Sequence, residues 1–221
     1  NETATPAIMI AAASGVGAYA VTVQAPSFAS LGDGFNKLRG VAPGCNWAGA
    51  KVFSNTGSGS STDIGAGIDG LVANRVANNI KVINISLGIV GNPGISTSQR
   101  AKVNTAVNNG IVVVCSAGND GQGTTAGARE IDDPGRAALA LTVAASDDNN
   151  QLTDYTSIGF TAPGSTAGSE EDYKPDLMAP GGCASYYTSM MSVDSNSGDG
   201  QSVADQRAND YYNIQGTSMA S

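Results

Sequence analysis

Ile80-Lys81-Val82-Ile83-Asn84-Ile85-Ser86-Leu87-Gly88 decides the architecture. The first six residues make an apolar run of the kind that a parallel sheet buries on both faces, and small residues turn the chain at its end. On the amino-terminal side, Ile64, Ile68, Leu71, Val72 and Val76 recur on one face at helical spacing, with Ser61 or Thr62 as the expected cap. On the carboxyl side, Ser96 with Gln99 predicts a capping box for a second helix carrying Val103, Ala106 and Val107, which Asn109-Gly110 ends. Residues 111–114 form another fully apolar strand, followed at once by Ser116-Ala117-Gly118-Asn119-Asp120-Gly121. Such alternation of strand and helix calls for right-handed crossovers and a parallel sheet covered on both faces.

Working outward, a turn at Gly40-Val41-Ala42-Pro43 precedes a predicted strand over residues 48–53, and residues 55–61 read as a flexible loop. Asp133-Pro134-Gly135 predicts a turn before a strand over 138–144, and a short strand over 176–179 leads into Pro180-Gly181-Gly182. Residues 3–13 read as a buried helix with Pro6 in its first turn, and 14–39 as irregular. In open α/β sheets ligands bind beyond the carboxyl ends of the strands. The polar, glycine-rich segments after Ile85, Cys115 and Ala179 therefore converge on one rim. Residues 192–209, rich in Ser, Asp and Asn, read as an exposed excursion. No internal repeat appears, and the 221 residues are read as a single domain.

Composition narrows the function. The formal charge is −8 with no basic run, which disfavours nucleic acid and anionic membrane as partners. No apolar stretch reaches the length of a membrane span, and no basic-then-apolar leader opens the chain. The three cysteines, Cys45, Cys115 and Cys183, form no zinc motif, and Cys115 reads as a buried free thiol. There is no histidine, so a mechanism needing an imidazole base is not completed by these residues alone.

The last six residues, Gly216-Thr217-Ser218-Met219-Ala220-Ser221, carry the chemistry. A small-residue turn holds one serine at the start of a helix-compatible run, where backbone N–H groups face developing negative charge. Taken alone, that serine reads as an ordinary helix cap with no chemistry.

Read together, these loops resemble the subtilisin-like serine proteases, the subtilases. Residues 216–221 look like that family's nucleophile motif, and Ser116-Ala117-Gly118-Asn119 like its oxyanion-hole loop. Gly40-Val41-Ala42-Pro43 with Lys51-Val52, the stretch Val82 to Gly88, and Lys174-Pro175-Asp176-Leu177-Met178-Ala179-Pro180-Gly181 match further motifs in the family's order. The resemblance implies a three-layer α/β fold with a mostly parallel sheet and helices on both faces. It implies Ser218 as nucleophile of an acyl-enzyme and Asn119 as donor to the oxyanion. Thr217 beside the nucleophile would join the substrate-binding residues. Ser86, Leu87 and Gly88 would pair with an extended peptide as an added strand. Ser116, Ala117 and Gly118 would line the pocket for the side chain before the cut, their small size leaving room for a large apolar group. It implies a polypeptide substrate, a propeptide or protein inhibitor as further partner, and secretion. No cofactor is implied for the chemistry.

Departures from the pattern are as informative. The family's Asp-[Ser/Thr]-Gly and His-Gly-Thr-His segments are missing. Aligning the family's helix with residues 3–13 places Asn1 in the histidine's column, and an asparagine amide has no useful basicity. The proline and long helix that follow the family's nucleophile are missing too, so the domain is expected to be truncated at both ends and the polypeptide 1–221 to be inactive by itself. Two rival readings remain open. One is a peptide-binding pseudoprotease without a triad. The other is a sedolisin-like serine-carboxyl peptidase with Glu2 as base, although that family places aspartate where Asn119 stands. Structural calcium is allowed by the resemblance, with metal ligands unknown. Asp63, Asp120, Asp132, Asp133, Asp147 and Asp148 are read as solvated surface carboxylates, and Asp147-Asp148-Asn149-Asn150 as a turn.

Overall fold

A computed structural model describes residues 5–8, 22–24, 42, 45–54, 59–89, 97–122, 130–159, 173–183, 190–193 and 211–221. Helix α1 (Ser61–Ala73) shows why its sequence folds locally. Ser60 is the cap: its Oγ accepts from Asp63 N at 3.1 Å, and Asp63 Oδ2 accepts from Ser60 N at 3.1 Å. This reciprocal capping box contributes about 1 kcal/mol. Ile64, Ile68 and Leu71 are buried on the inward face, whereas Val76 lies beyond the Asn74 C-cap and is exposed.

The strands are β1 (Thr5–Ile8), β2 (Thr22–Gln24), β3 (Trp47–Gly49), β4 (Ile80–Ile85), β5 (Val112–Ser116), β6 (Leu141–Ser146) and β7 (Leu177–Pro180). They form one sheet in the order β2-β3-β1-β4-β5-β6-β7, parallel throughout except for the antiparallel β2–β3 edge. Helix α2 (Thr97–Asn108) packs beside α1, and Gln99 Nε2 donates to Ser61 O at 2.6 Å, tying the two helix starts together. That bond is what Gln99 makes here; Ser96, its expected capping partner, lies outside the described residues. Ile83, Ile85, Val113 and Cys115 meet Ile64, Ile68, Leu71, Val103 and Ala106 in one buried core. A four-residue helix, α3 (Thr217–Ala220), touches β5, β6 and β7. The architecture is thus the expected three-layer α/β class.

One expectation is overturned. Residues 5–8, read as part of a helix, are the strand β1 between β3 and β4. A short apolar run fits either state, and the sheet offers Ala7 and Ile8 neighbours on both sides. Pro6, which would remove a ladder bond from a regular central strand, sits where the register jumps from Thr5↔Ile80 to Pro6↔Val82. The strand expected over 48–53 is shorter and earlier, and those over 111–114, 138–144 and 176–179 shift toward their carboxyl ends. The excursion over 192–209 begins in β8 (Met190–Val193), which pairs antiparallel with β9 (Tyr211–Ile214), a hairpin the sequence did not announce.

Residues of the Lys174-Pro175-Asp176 motif join the last strands. Buried Lys174 donates from Nζ to Ala140 O at 2.6 Å and to Asp176 Oδ2 at 2.7 Å, and the same oxygen accepts from Thr142 N at 2.7 Å. β7 is thereby pinned to β6 just ahead of the rim.

Candidate active site

Three carboxyl-terminal strand ends of the sheet build the site. β4 delivers Ser86-Leu87-Gly88, β5 delivers Ala117-Gly118-Asn119, and β7 delivers Gly181, against which β9 and α3 fold the terminal residues. Gly216 N donates to Gly181 O at 3.0 Å. A Cβ on Gly181 would lie 2.6 Å from Ala145 Cβ and 2.7 Å from Gly216 O, so only glycine allows this approach. Tyr155 braces the same turn, donating from its hydroxyl to Gly182 O at 2.6 Å and, more weakly, to Gly181 O at 3.0 Å. Burial raises the pKa of that hydroxyl. Sequence reading missed Tyr155, because nothing local couples it to residues 26 or more positions away.

Asn119 and Thr217 interlock. Asn119 Oδ1 accepts from Thr217 N at 3.0 Å and from Thr217 Oγ1 at 3.2 Å, while Thr217 Oγ1 accepts from Gly118 N at 3.1 Å. Thr217 is fully buried, so these bonds are shielded from water. With its carbonyl oxygen occupied, Asn119 keeps its Nδ2 group for a donor role on the exposed side. The next residue, Ser218, is partly exposed, and its Oγ donates to Ser86 O at 3.2 Å.

Ser86 is a second knot. Its Oγ donates to Ser218 O at 2.9 Å, lies 2.8 Å from Ser221 Oγ, and accepts from Asn84 Nδ2 at 2.9 Å. Asn84 Oδ1 is buried without a donor among the described residues. The expected residues Ser86, Leu87, Gly88, Ser116, Ala117, Gly118, Asn119, Thr217 and Ser218 therefore belong to one rim. Ser116 Oγ donates to Leu87 O at 3.4 Å, linking the two candidate walls. No described group with the basicity to take a proton contacts Ser218 Oγ; its partner is a carbonyl. Asn1, Glu2 and Gly40 lie outside the described residues.

The space between the walls is not simply roomy. The side chain of Asp132 lies against both Gly88 and Gly118, so a carboxylate shares the space that the small residues leave. Burial, then the neighbouring Asp120 carboxylate, and more weakly Asp133 and Glu130, push the Asp132 carboxyl up to about 7. Asp133 behaves differently. It is buried and held by Arg100 through bonds of 2.5 Å (Nε to Oδ1) and 2.7 Å (Nη2 to Oδ2).

These findings also revise the acidic candidates for a metal. Asp133 and Asp147 are buried rather than solvated. Asp147 Oδ1 accepts from Asn149 N at 2.9 Å and Gln151 N at 2.8 Å, which makes this stretch the expected turn. Asp63 is engaged at the α1 cap. Among the described residues no three His, Cys, Asp or Glu side chains gather as a metal cage. The cysteines are free, and burial pushes the Cys115 thiol up to about 12.

Comparison with known proteins agrees with this geometry. The family model described as "Subtilase family" matches residues 10–221. Subtilisin NAT of Bacillus subtilis subsp. natto is 34% identical over 161 residues, covering 72% of this chain and 36% of that protein. Serine protease AprX of Bacillus subtilis (strain 168) is 30% identical over 194 residues, covering 83% of this chain and 41% of that one. Among solved structures, Sphericase superposes with a TM-score of 0.58 at 30% identity, over 82% of this chain and 52% of that one. The chain thus spans well under half the length of these curated relatives and about half of that solved chain.

Proposed function

Since the chain belongs to the subtilase family, we propose that it forms the nucleophile-bearing part of a serine endopeptidase. The observation that carries this reading is the clamp of Asn119 Oδ1 on Thr217 N and Oγ1. It fixes the backbone immediately before Ser218 and leaves the amide Nδ2 of Asn119 as a donor for an oxyanion. Ser218 Oγ attacks the scissile carbonyl and forms the acyl-enzyme; Asn119 stabilises the negative charge that develops on the carbonyl oxygen. Ser86, Leu87 and Gly88 receive the peptide as an added strand, and Ser116, Ala117 and Gly118 form the opposite wall.

The proton of Ser218 needs an acceptor, and the 221 residues contain no histidine. The polypeptide 1–221 by itself therefore hydrolyses no peptide bond at a useful rate, and the base belongs to residues outside it. The substrate is a polypeptide, and a propeptide or protein inhibitor docks on the same edge. The protein acts outside the cell, and no cofactor takes part in the chemistry.

The test compares the longer gene product, its Ser218→Ala variant and the polypeptide 1–221. The longer product is expected to cleave casein and to react with a fluorophosphonate probe at Ser218. Ser218→Ala removes both activities, and 1–221 shows no turnover. Probe labelling at another residue, or undiminished cleavage by Ser218→Ala, would overturn the assignment. A full-length product that binds peptides but neither cleaves nor labels would identify a pseudoprotease instead.

A further inference from the structure

We propose that Asp132 sets the primary specificity of the groove, selecting a lysine or arginine side chain immediately before the scissile bond. The inference rests on the substrate walls assigned above and adds the class of side chain they receive.

Asp132 is a crosspiece between the walls. Its N–H donates to Ala117 O at 2.9 Å, while Asp133 O, one residue on, accepts from Ile89 N at 2.9 Å. The 132–133 backbone is thus bonded to one wall at Ala117 and to the continuation of the other at Ile89. A Cβ on Gly88 would lie 2.6 Å from Asp132 Oδ2, and one on Gly118 2.8 Å from that oxygen. The same carboxylate oxygen is therefore within reach of both walls, and it closes the slot between them. Glycine at both positions is what lets the carboxylate in; a side chain on either wall would expel it.

The neighbouring acid shows why this one is free for a ligand. Asp133 pairs with Ile89 as a β-bridge, and successive side chains on extended backbone point to opposite sides. Asp133 points into the protein, where Arg100 holds it in a two-bond ion pair. Asp132 points the other way. The charges that bear on it, from Asp120, Asp133 and Glu130, are all acidic, and Asp120 is hydrogen-bonded to it. Burial first, and then the Asp120 carboxylate, favour a proton on Asp132. A lysine ammonium or an arginine guanidinium entering between the walls would supply the positive charge that this proton now supplies. Its methylene stem would pass Gly88, the exposed wall residue against which the Asp132 carboxylate lies. A leucine or phenylalanine would instead press apolar surface onto a carboxylate, at a desolvation cost with nothing to offset it.

Protonation adds a signature. Below its pKa, Asp132 is neutral and tolerates an apolar neighbour; above it, the carboxylate discriminates for a cation. With Asp120 facing it from the loop after β5, Glu130 and Asp133 beside it on its own segment, and Arg100 committed to Asp133, the preference for Lys or Arg over Leu or Phe should rise as pH passes from 6 to 8, about a unit either side of that carboxyl's pKa.

The experiment uses the full-length protein in two formats. The first measures kcat/KM on peptide p-nitroanilides that differ only in Arg, Lys, Leu or Phe at the cleaved position. The second measures calorimetric binding of N-acyl tripeptides ending in Arg or Phe to the Ser218→Ala protein, which reads the pocket whether or not the protein is a catalyst. Arg and Lys are expected to be preferred. Asp132→Asn and, in parallel, Asp132→Ser should lower that preference by about 30-fold or more, the effect of removing one partner of a buried charge pair. The Leu and Phe constants should hold or improve. A Leu or Phe preference in the unmodified protein, or an unchanged ratio in a folded Asp132 variant, would overturn the inference while leaving the protease reading intact. Failure of Ser218 to label would count against the protease reading alone, because the calorimetric arm still decides the role of Asp132.

Discussion

Removing Arg100 should be far more damaging than removing a surface cation. Its side chain is 8% exposed and that of Asp133 is 4% exposed, and the pair makes bonds of 2.5 and 2.7 Å. Arg100→Ala would leave the Asp133 carboxylate buried without its cation. Breaking such a pair costs about 3–5 kcal/mol, whereas an exposed pair contributes about 0–1 kcal/mol. For a domain of this size each kcal/mol moves Tm by about 2–4 °C, so the expected drop is about 6–20 °C. The double replacement Arg100→Met with Asp133→Leu removes both charges and keeps apolar volume, and should recover most of that loss. Urea denaturation of the four proteins in the cycle gives the coupling directly, with an unchanged m-value as the check that the same transition is being compared. A loss below about 1 kcal/mol for Arg100→Ala would mean that water reaches the pair, and would refute the role given to it in turning Asp133 away from the groove.

Two further expectations concern the rim and its foundation. Asn119→Ala in the full-length enzyme should lower kcat by about 10²–10³ with little change in KM, a magnitude taken over from measurements on a subtilisin; an effect on KM alone would make Asn119 a binding residue. Cys115 should resist iodoacetamide in the folded protein at pH 8, since burial holds the thiol protonated up to about 12, and should react once urea unfolds the chain. Labelling at the rate of a free thiol would place it outside the core.

Strong local periodicity made the frame legible. Ile80–Ile85 has the expected bounds because its apolar run is closed on the carboxyl side by small residues. The α1 face was read correctly at Ile64, Ile68 and Leu71, but the cap is Ser60, whose partner Asp63 stands at capping-box spacing. Residues 5–8 were misread because a few apolar residues do not separate helix from strand, and the choice was made by two neighbouring strands. At the site, motif residues were legible as turns at strand ends. Their braces were not: Tyr155, Arg100 and Asp132 reach their partners across the fold, and Asp132 and Asp133, adjacent and identical in type, take opposite environments. Sequence shows that two acids stand there; only the ladder shows which one faces the groove.

The side chain of Asn119 and the carbonyl of Ser86, which bond to residues 217 and 218, lie far from them along the chain: Ser86 is 132 residues upstream of Ser218, and Asn119 precedes Thr217 by 98. Contacts that distant close only after the intervening sheet has assembled. A ribosome-bound or half-collapsed polypeptide consequently displays residue 218 as an ordinary hydroxyl, inert toward its own loose segments. Topology thus ties the surroundings of residue 218 to completion of the sheet.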